Sequence, residues 1–312
     1  MGSHLASWCP WGWCALVDSV TKKTSIGDIE MELLSASHGD VSLSDSQADG
    51  KVDRLAHYLL RAVNKAVRRY RMIADGTRIL VAVSGGKDSL TLLDLLHRRR
   101  QMAREHYTLV AAHIRSDAHC GRAAPVTWLQ AWCETRGIPL YMQDLALADE
   151  LATANANKCF RCAWNRRKAL FQLADHLGCA TLAFGHHADD IAETTLMNLF
   201  YSGRLARMEP KVSFFGGRLL VIRPLALVEE RDIVPYARAS GFPIQGEPCP
   251  EGRNSRRATI KRLLRELEQE HPQVKRSIFS AVERQQATMR RLLRCNAETD
   301  SEEDDGAEAG IS

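Results

Sequence analysis

Ser84-Gly85-Gly86-Lys87-Asp88-Ser89 is the stretch from which the rest of the chain is read. The apolar segment Ile79 to Val83 precedes it, and Leu90 to His97 follows with apolar residues at helical spacing. A strand that passes through a glycine turn into a helix start is a site for an anion. Glycines permit positive φ and close approach of the backbone, and the unpaired amides and helix dipole face the ligand. Lys87 adds a positive charge, and Ser84 and Ser89 add hydroxyls. The spacing is not that of the Walker loop, which has four residues between its first glycine and its Gly-Lys pair.

Outward from this turn, strand and helix patterns alternate. Arg78 to Val83, Tyr107 to Ile114, Leu140 to Gln143 and Ala180 to Gly185 read as strands. Ser89 to Arg100, Pro125 to Arg136, Cys159 to Leu177 and Asp189 to Tyr201 read as helices. This order implies an α/β fold with a doubly wound parallel sheet and ligands at the carboxyl ends of its strands. Beyond Arg204, Val212 to Phe215 and Leu219 to Ile222 flank a Gly-Gly turn as a hairpin. A helix from Glu229 to Ala239 and two basic helices after Ser255 and Pro272 follow. The expected divisions are a disordered segment (1–50), a leading basic helix (51–75), the domain that carries the glycine turn (76–245), a basic helical region (246–294) and a disordered acidic tail (295–312).

Gly185-His186-His187-Ala188-Asp189-Asp190, with Glu193 and Thr194, follows one strand and opens a helix. Acids there complement the dipole in any protein, but two histidines and two aspartates at a strand's carboxyl end also form a reactive group. Cys159-Phe160-Arg161-Cys162 is the third signal. Positions i and i+3 share a helix face, so both sulfurs can reach one metal; zinc, a redox pair and an iron–sulfur cluster all fit this spacing. Of the single cysteines, Cys249 stands out between Pro248 and Pro250, while Cys133 and Cys179 lie in apolar contexts suited to core thiols.

The glycine turn matches SGGxDS, and the chain resembles the PP-loop ATP pyrophosphatase superfamily, of the adenine nucleotide alpha hydrolase-like fold. Gly185 to Thr194 matches GHHxDDxxET of its tRNA-thiolating branch, and the resemblance extends from about Val52 to Val282. It implies that Ser84, Gly85, Gly86, Lys87, Asp88 and Ser89 grip the pyrophosphate of ATP, with His113, Gly185 and His186 near the nucleotide. It also implies catalytic roles for Lys87, Asp189 and Asp190, the aspartates lying near the target base or Mg²⁺. In the tRNA 2-thiocytidine synthetase group a CxxC and a later cysteine, past an FPI-like segment, hold a [4Fe–4S] cluster; Cys159, Cys162 and Cys249 match these positions. The best-known form carries a second cysteine pair in the later loop, where this chain has Cys249 alone. Arg161, Arg166, Arg167 and Lys168 would favour thiolate character. The implied activity is ATP-dependent tRNA 2-thiolation, cytidine favoured, with tRNA and a sulfur donor such as a cysteine desulfurase as partners and a homodimer as the assembly.

Charge agrees with a polyanionic partner. Residues 51–294 hold 40 basic against 24 acidic residues, a net of +16, while residues 1–50 carry −5 and 295–312 carry −7. No apolar run reaches the roughly 18 residues of a membrane span. Met1-Gly2-Ser3-His4 reads as a cloning scar, and nine cysteines without a secretion signal imply a reducing cytoplasm. Two other readings stand beside thiolation: a cluster-free ligase resembling lysidine synthetase, and a nucleotide-responsive RNA-binding module with structural zinc.

Overall fold

A computed structural model describes residues 46–117, 123–153, 158–246 and 255–305. Strand β1 (Thr77–Ala82) is its centre. Ile79, Leu80 and Val81 are fully buried, as an unbroken apolar run requires when both sheet faces are covered. The sheet has the order β3-β2-β1-β4-β6-β5. Here β2 is Tyr107–Ser116, β3 Leu140–Leu145, β4 Thr181–Ala183, β5 Lys211–Phe214 and β6 Leu219–Ile222. β5 pairs antiparallel with β6, and the other pairs are parallel. The chain moves outward from β1 to β3, then returns to β4 on β1's other side. That reversal opens a crevice at the carboxyl ends of β1 and β4.

Period-two alternation assigns the strand side chains to two cores. Ile79 and Val81 pack with Leu59, Val63, Leu92, Leu96 and Tyr236. Those residues come from α1 (Ser46–Arg69), α2 (Lys87–Arg100) and α7 (Glu230–Ala239), and α3 (Val126–Glu134) adds Trp132. On the opposite face, Leu80, Val110, Leu182 and Val221 meet Leu170, Phe171 and Leu173 of α5 (Lys158–His176). Truncating Leu80 to alanine would cost about 2–5 kcal/mol. The short α4 (Ala148–Thr153) precedes α5. Helix α6 (Ala188–Ser202) is covered by α8 (Arg256–Glu270) and α9 (Val274–Asp305), through Ile260, Leu264 and Phe279.

Three boundaries differ from the sequence reading. β2 continues to Ser116, so His113 lies inside the strand. α1 begins at Ser46, inside the segment expected to be disordered, and residues 1–45 lie outside the described residues. α9 is helical through Asp305, well into the acidic stretch expected to be disordered. From Val274 to Asp305 there is no glycine or proline to stop it. Residues 306–312 lie outside the described residues. Among the described residues no helix is long and apolar enough to cross a membrane.

Candidate active site

The glycine loop is held by its own hydroxyls. The Ser84 amide donates to Ser89 Oγ (3.2 Å), the Gly86 amide to Ser84 Oγ (3.3 Å), and the Ser89 hydroxyl to the Gly86 carbonyl (2.9 Å). Gly86 is the N-cap of α2 and has no side chain to cap the first turn, which leaves that turn to an anion. Gly85 has φ +80°, and a Cβ there would lie 2.9 Å from Ala123 Cβ. His113 locks the entering strand from the side, its Nδ1 2.7 Å from the Val83 carbonyl. Burial keeps its pKa below the ordinary histidine value despite that bond.

The second turn presses directly on the first. A Cβ on Gly185 would stand 3.0 Å from the Asp88 carbonyl and Ser89 Cα, so any larger residue would have to push the two turns apart. His186 is neutral: burial, helped by the nearby Arg223, pushes its pKa down to about 3. His187 is the N-cap of α6, and its ring lies 3.4–3.7 Å from Asp88, Asp189 and Asp190 carboxylate oxygens. Burial opposes its charge, but these carboxylates outweigh it and raise its pKa.

Cations from later helices meet the acids. Lys275 Nζ lies 2.6 Å from Asp189 Oδ1, and the Glu230 amide donates to Asp189 Oδ2 at 2.7 Å. Arg257 reaches Asp190 Oδ1 (3.0 Å) and Glu193 Oε2 (2.8 Å). Lys87 Nζ lies 3.0 Å from Asp88 Oδ2 and 2.9 Å from Glu230 Oε1, while Lys261 takes Glu230 Oε2 at 2.8 Å. Burial pushes Glu230 upward, but Lys261 and Lys87 outweigh it and hold its pKa at about 2. Burial likewise opposes ionisation of Asp189, yet His187, Lys275 and the Glu230 amide hold it well below the usual carboxylate range. Asp88 Oδ1 is the exception, a buried oxygen without a hydrogen-bond partner among the described residues.

The cysteines sit on the first turn of α5, which enters from the carboxyl end of β3 and so starts at the same rim. Cys159 is exposed and Cys162 half-buried. On the same turn Phe160 stacks on Trp164 with ring centroids 6.2 Å apart. Of the four neighbouring cations, Arg161 pairs with Glu150 at 3.1 Å, and Arg167 Nε donates to the Ala163 carbonyl. Cys249 lies outside the described residues. Its flanks are tied to the site. Gln245 exchanges two 2.9 Å backbone bonds with Ala123, and the Ala124 amide donates to Gly85. On the other side Ser255 caps α8 through the Ala258 amide, two residues before Arg257. Cys133 and Cys179 are buried, and burial pushes the Cys133 thiol up to about 12.

The fold therefore brings the glycine loop, the His-Asp turn and the CxxC to one rim. Sequence reasoning missed Glu230, Arg257, Lys261 and Lys275. Each looks like a solvated helix charge, and no fixed spacing links them to the motifs. His187 was visible in its motif, but its place among three carboxylates was not.

An anion-receiving loop at the switch point of a parallel sheet defines the class: an α/β nucleotide-binding protein. The chain matches the family described as the PP-loop domain over residues 55–267. A "tRNA-cytidine(32) 2-sulfurtransferase" of Anaeromyxobacter sp. (strain Fw109-5) is 39% identical, covering 74% of this chain and 77% of the relative. Another so named, from Geobacter sulfurreducens, is 41% identical over 71% of this chain and 87% of the relative. Within the PP-loop class, the chain belongs to the tRNA-cytidine(32) 2-sulfurtransferase family. Its fold is also that of the U34-tRNA thiolase NcsA from Methanococcus maripaludis, solved with its [4Fe-4S] cluster. That match has a TM-score of 0.61 and 24% identity, covering 74% of this chain and 80% of the thiolase.

Proposed function

We propose that the chain is an ATP-dependent tRNA sulfurtransferase that replaces the C2 oxygen of a tRNA cytidine, position 32 by its relatives' names, with sulfur. The observation that carries this is that the glycine loop and the His-Asp turn press together at the sheet's carboxyl edge, where the CxxC helix also starts, in a chain of this family. The uncapped start of α2 and Lys87 take the β,γ-pyrophosphate. The cytidine oxygen attacks the α-phosphorus, the bond to the bridging oxygen breaks, and pyrophosphate leaves. The oxygen is then part of an adenylate, a good leaving group, and departs as AMP when sulfur takes its place at C2. A flipped-out base is needed for this, since C2 is inaccessible in a stack.

The residues fit the implied cofactors. Two thiols at i and i+3 on one helix start can bind a common metal centre, and Gln245, four residues before Cys249, is bonded through Ala123 and Ala124 to the glycine loop. A [4Fe–4S] cluster held by Cys159, Cys162 and Cys249 would supply the sulfur-transfer chemistry. The orphaned Asp88 Oδ1 suits a Mg²⁺ ion at the phosphates. His186, kept neutral by burial, adds no charge to the nucleotide pocket. His113 supports the nucleotide by holding the end of β1. A cysteine desulfurase-type donor and a homodimeric assembly complete the reading.

The test is iron, sulfide and zinc content of anaerobically purified protein, with ATP-dependent sulfur incorporation into tRNA. About four irons per chain, with incorporation that needs ATP and is lost in Cys162→Ala, support it. Sulfuration that survives Cys162→Ala or Lys87→Ala sinks it. Zinc without AMP formation would point to an RNA-binding module, and AMP formation without iron to an amine ligase.

A further inference from the structure

We infer that Lys275, on the helical extension, is a positioning residue for the reaction, acting through Asp189, which is itself a lock on the site and not a group that touches substrate. The inference rests on the sulfurtransferase reading for its kinetic arm alone.

Asp189 is 3% exposed, and both its oxygens are committed. Oδ1 accepts from Lys275 at 2.6 Å; Oδ2 accepts from the Glu230 amide at 2.7 Å, with His187 Nδ1 3.5 Å away. Lys275 is equally committed, its Nζ also lying 2.6 Å from Glu268 Oε2. Glu230 extends the chain of contacts, since its Oε1 meets Lys87 at 2.9 Å. One path therefore joins α9 to the phosphate-binding lysine: Lys275, Asp189, the start of α7, Glu230, Lys87. Asp190 differs, with one side toward Arg257 and the other capping the His187 amide.

The physics of buried pairs separates this role from a catalytic one. Removing Lys275 leaves a buried carboxylate without its charge partner, which is costly; removing both charges is close to neutral. The stranded carboxylate would pull on its remaining donors, the Glu230 amide and the His187 ring, and so displace the groups around Lys87. A catalytic Asp189 would behave in the opposite way, because its loss could not be relieved by removing Lys275.

The experiment compares Lys275→Met, Asp189→Asn and the double variant with the full-length protein. Lys275→Met is expected to lower kcat for tRNA-dependent AMP formation about tenfold or more, with KM for ATP changed by less than about threefold. Adding Asp189→Asn should recover most of that loss. Hydrogen exchange of the Glu230 amide, without substrate, should quicken in Lys275→Met and slow again in the double variant. A double variant less active than Lys275→Met, an unchanged kcat in Lys275→Met, or unaltered Glu230 exchange would overturn the inference. If the wild type forms no AMP with tRNA, the sulfurtransferase reading fails while the exchange comparison still decides Lys275.

Discussion

Around Lys87, the carboxylates of Asp88, Glu230, Asp189 and Asp190 each meet a cation at 2.6–3.0 Å. Across the rim, Cys159 is exposed, Cys162 is half-buried, and the Arg161–Glu150 pair between them lies in water. An exposed pair contributes only about 0–1 kcal/mol, whereas a buried, hydrogen-bonded network fixes its members in place. The nucleotide half is thus preorganised before ligand arrives, as electrostatic catalysis requires. The part proposed to carry sulfur begins on the first turn of α5, where Cys159 is exposed and Cys162 half-buried. The two halves are separable by mutation.

The sharpest break is Lys87→Ala. Loss of the charge proposed to bind phosphate should reduce ATP-dependent AMP formation and sulfuration together, by at least about 100-fold. The melting temperature should move little, because Glu230 keeps Lys261. Sulfuration falling while AMP formation holds would show that Lys87 belongs to the wrong half.

Cys162→Ala should abolish sulfuration by a different route from Lys87→Ala. Iron and sulfuration disappear, while ATP affinity, followed by titration, stays within about threefold of wild type. Lost ATP affinity would mean that the halves are mechanically coupled.

Gly185→Ala tests the contact between the two turns. The added methyl would meet α2 backbone at 3.0 Å, so a stability loss of about 1–3 kcal/mol is expected by denaturant titration. Wild-type stability would show that the turns do not press on each other.

The last test is of pH dependence. His186 has a pKa of about 3 in the fold, below its unfolded value of about 6.5. The unfolded chain therefore binds the proton first, and stability falls as pH drops from about 6.5 toward 3. His186→Gln should flatten that slope. Glu230, with a folded pKa of about 2 against an ordinary 4.5, adds stability above about pH 4.5 that is lost as pH falls toward 2. Equal slopes for wild type and His186→Gln between pH 6 and 4 would show that the imidazole is hydrated in the fold.

Much of the fold was legible because its signals are local. Ile79 to Val83 could only be a covered strand, and Gly85 and Gly86 could only precede a helix that takes an anion. The alternation of strands and helices then led to the parallel sheet. The helical course of α9 to Asp305 was hidden because acidic composition suggested disorder, although nothing in that stretch stops a helix. Glu230, Arg257, Lys261 and Lys275 were hidden for a different reason. Ordinary helix charges acquire a role only when α7 packs on α2 and α8 and α9 pack on α6.

By itself the sequence determined the glycine loop, the His-Asp turn, the CxxC and the alternation of strands and helices that implies a parallel sheet. Backbone propensity and side-chain period act over a few residues, so a few residues suffice to read them. The tertiary structure alone decided which cation answers which carboxylate, that Asp189 is sealed while Asp88 Oδ1 accepts no hydrogen bond among the described residues, and that His186 is neutral. Those outcomes depend on burial and on charges brought together from distant segments, and neither is written in local spacing.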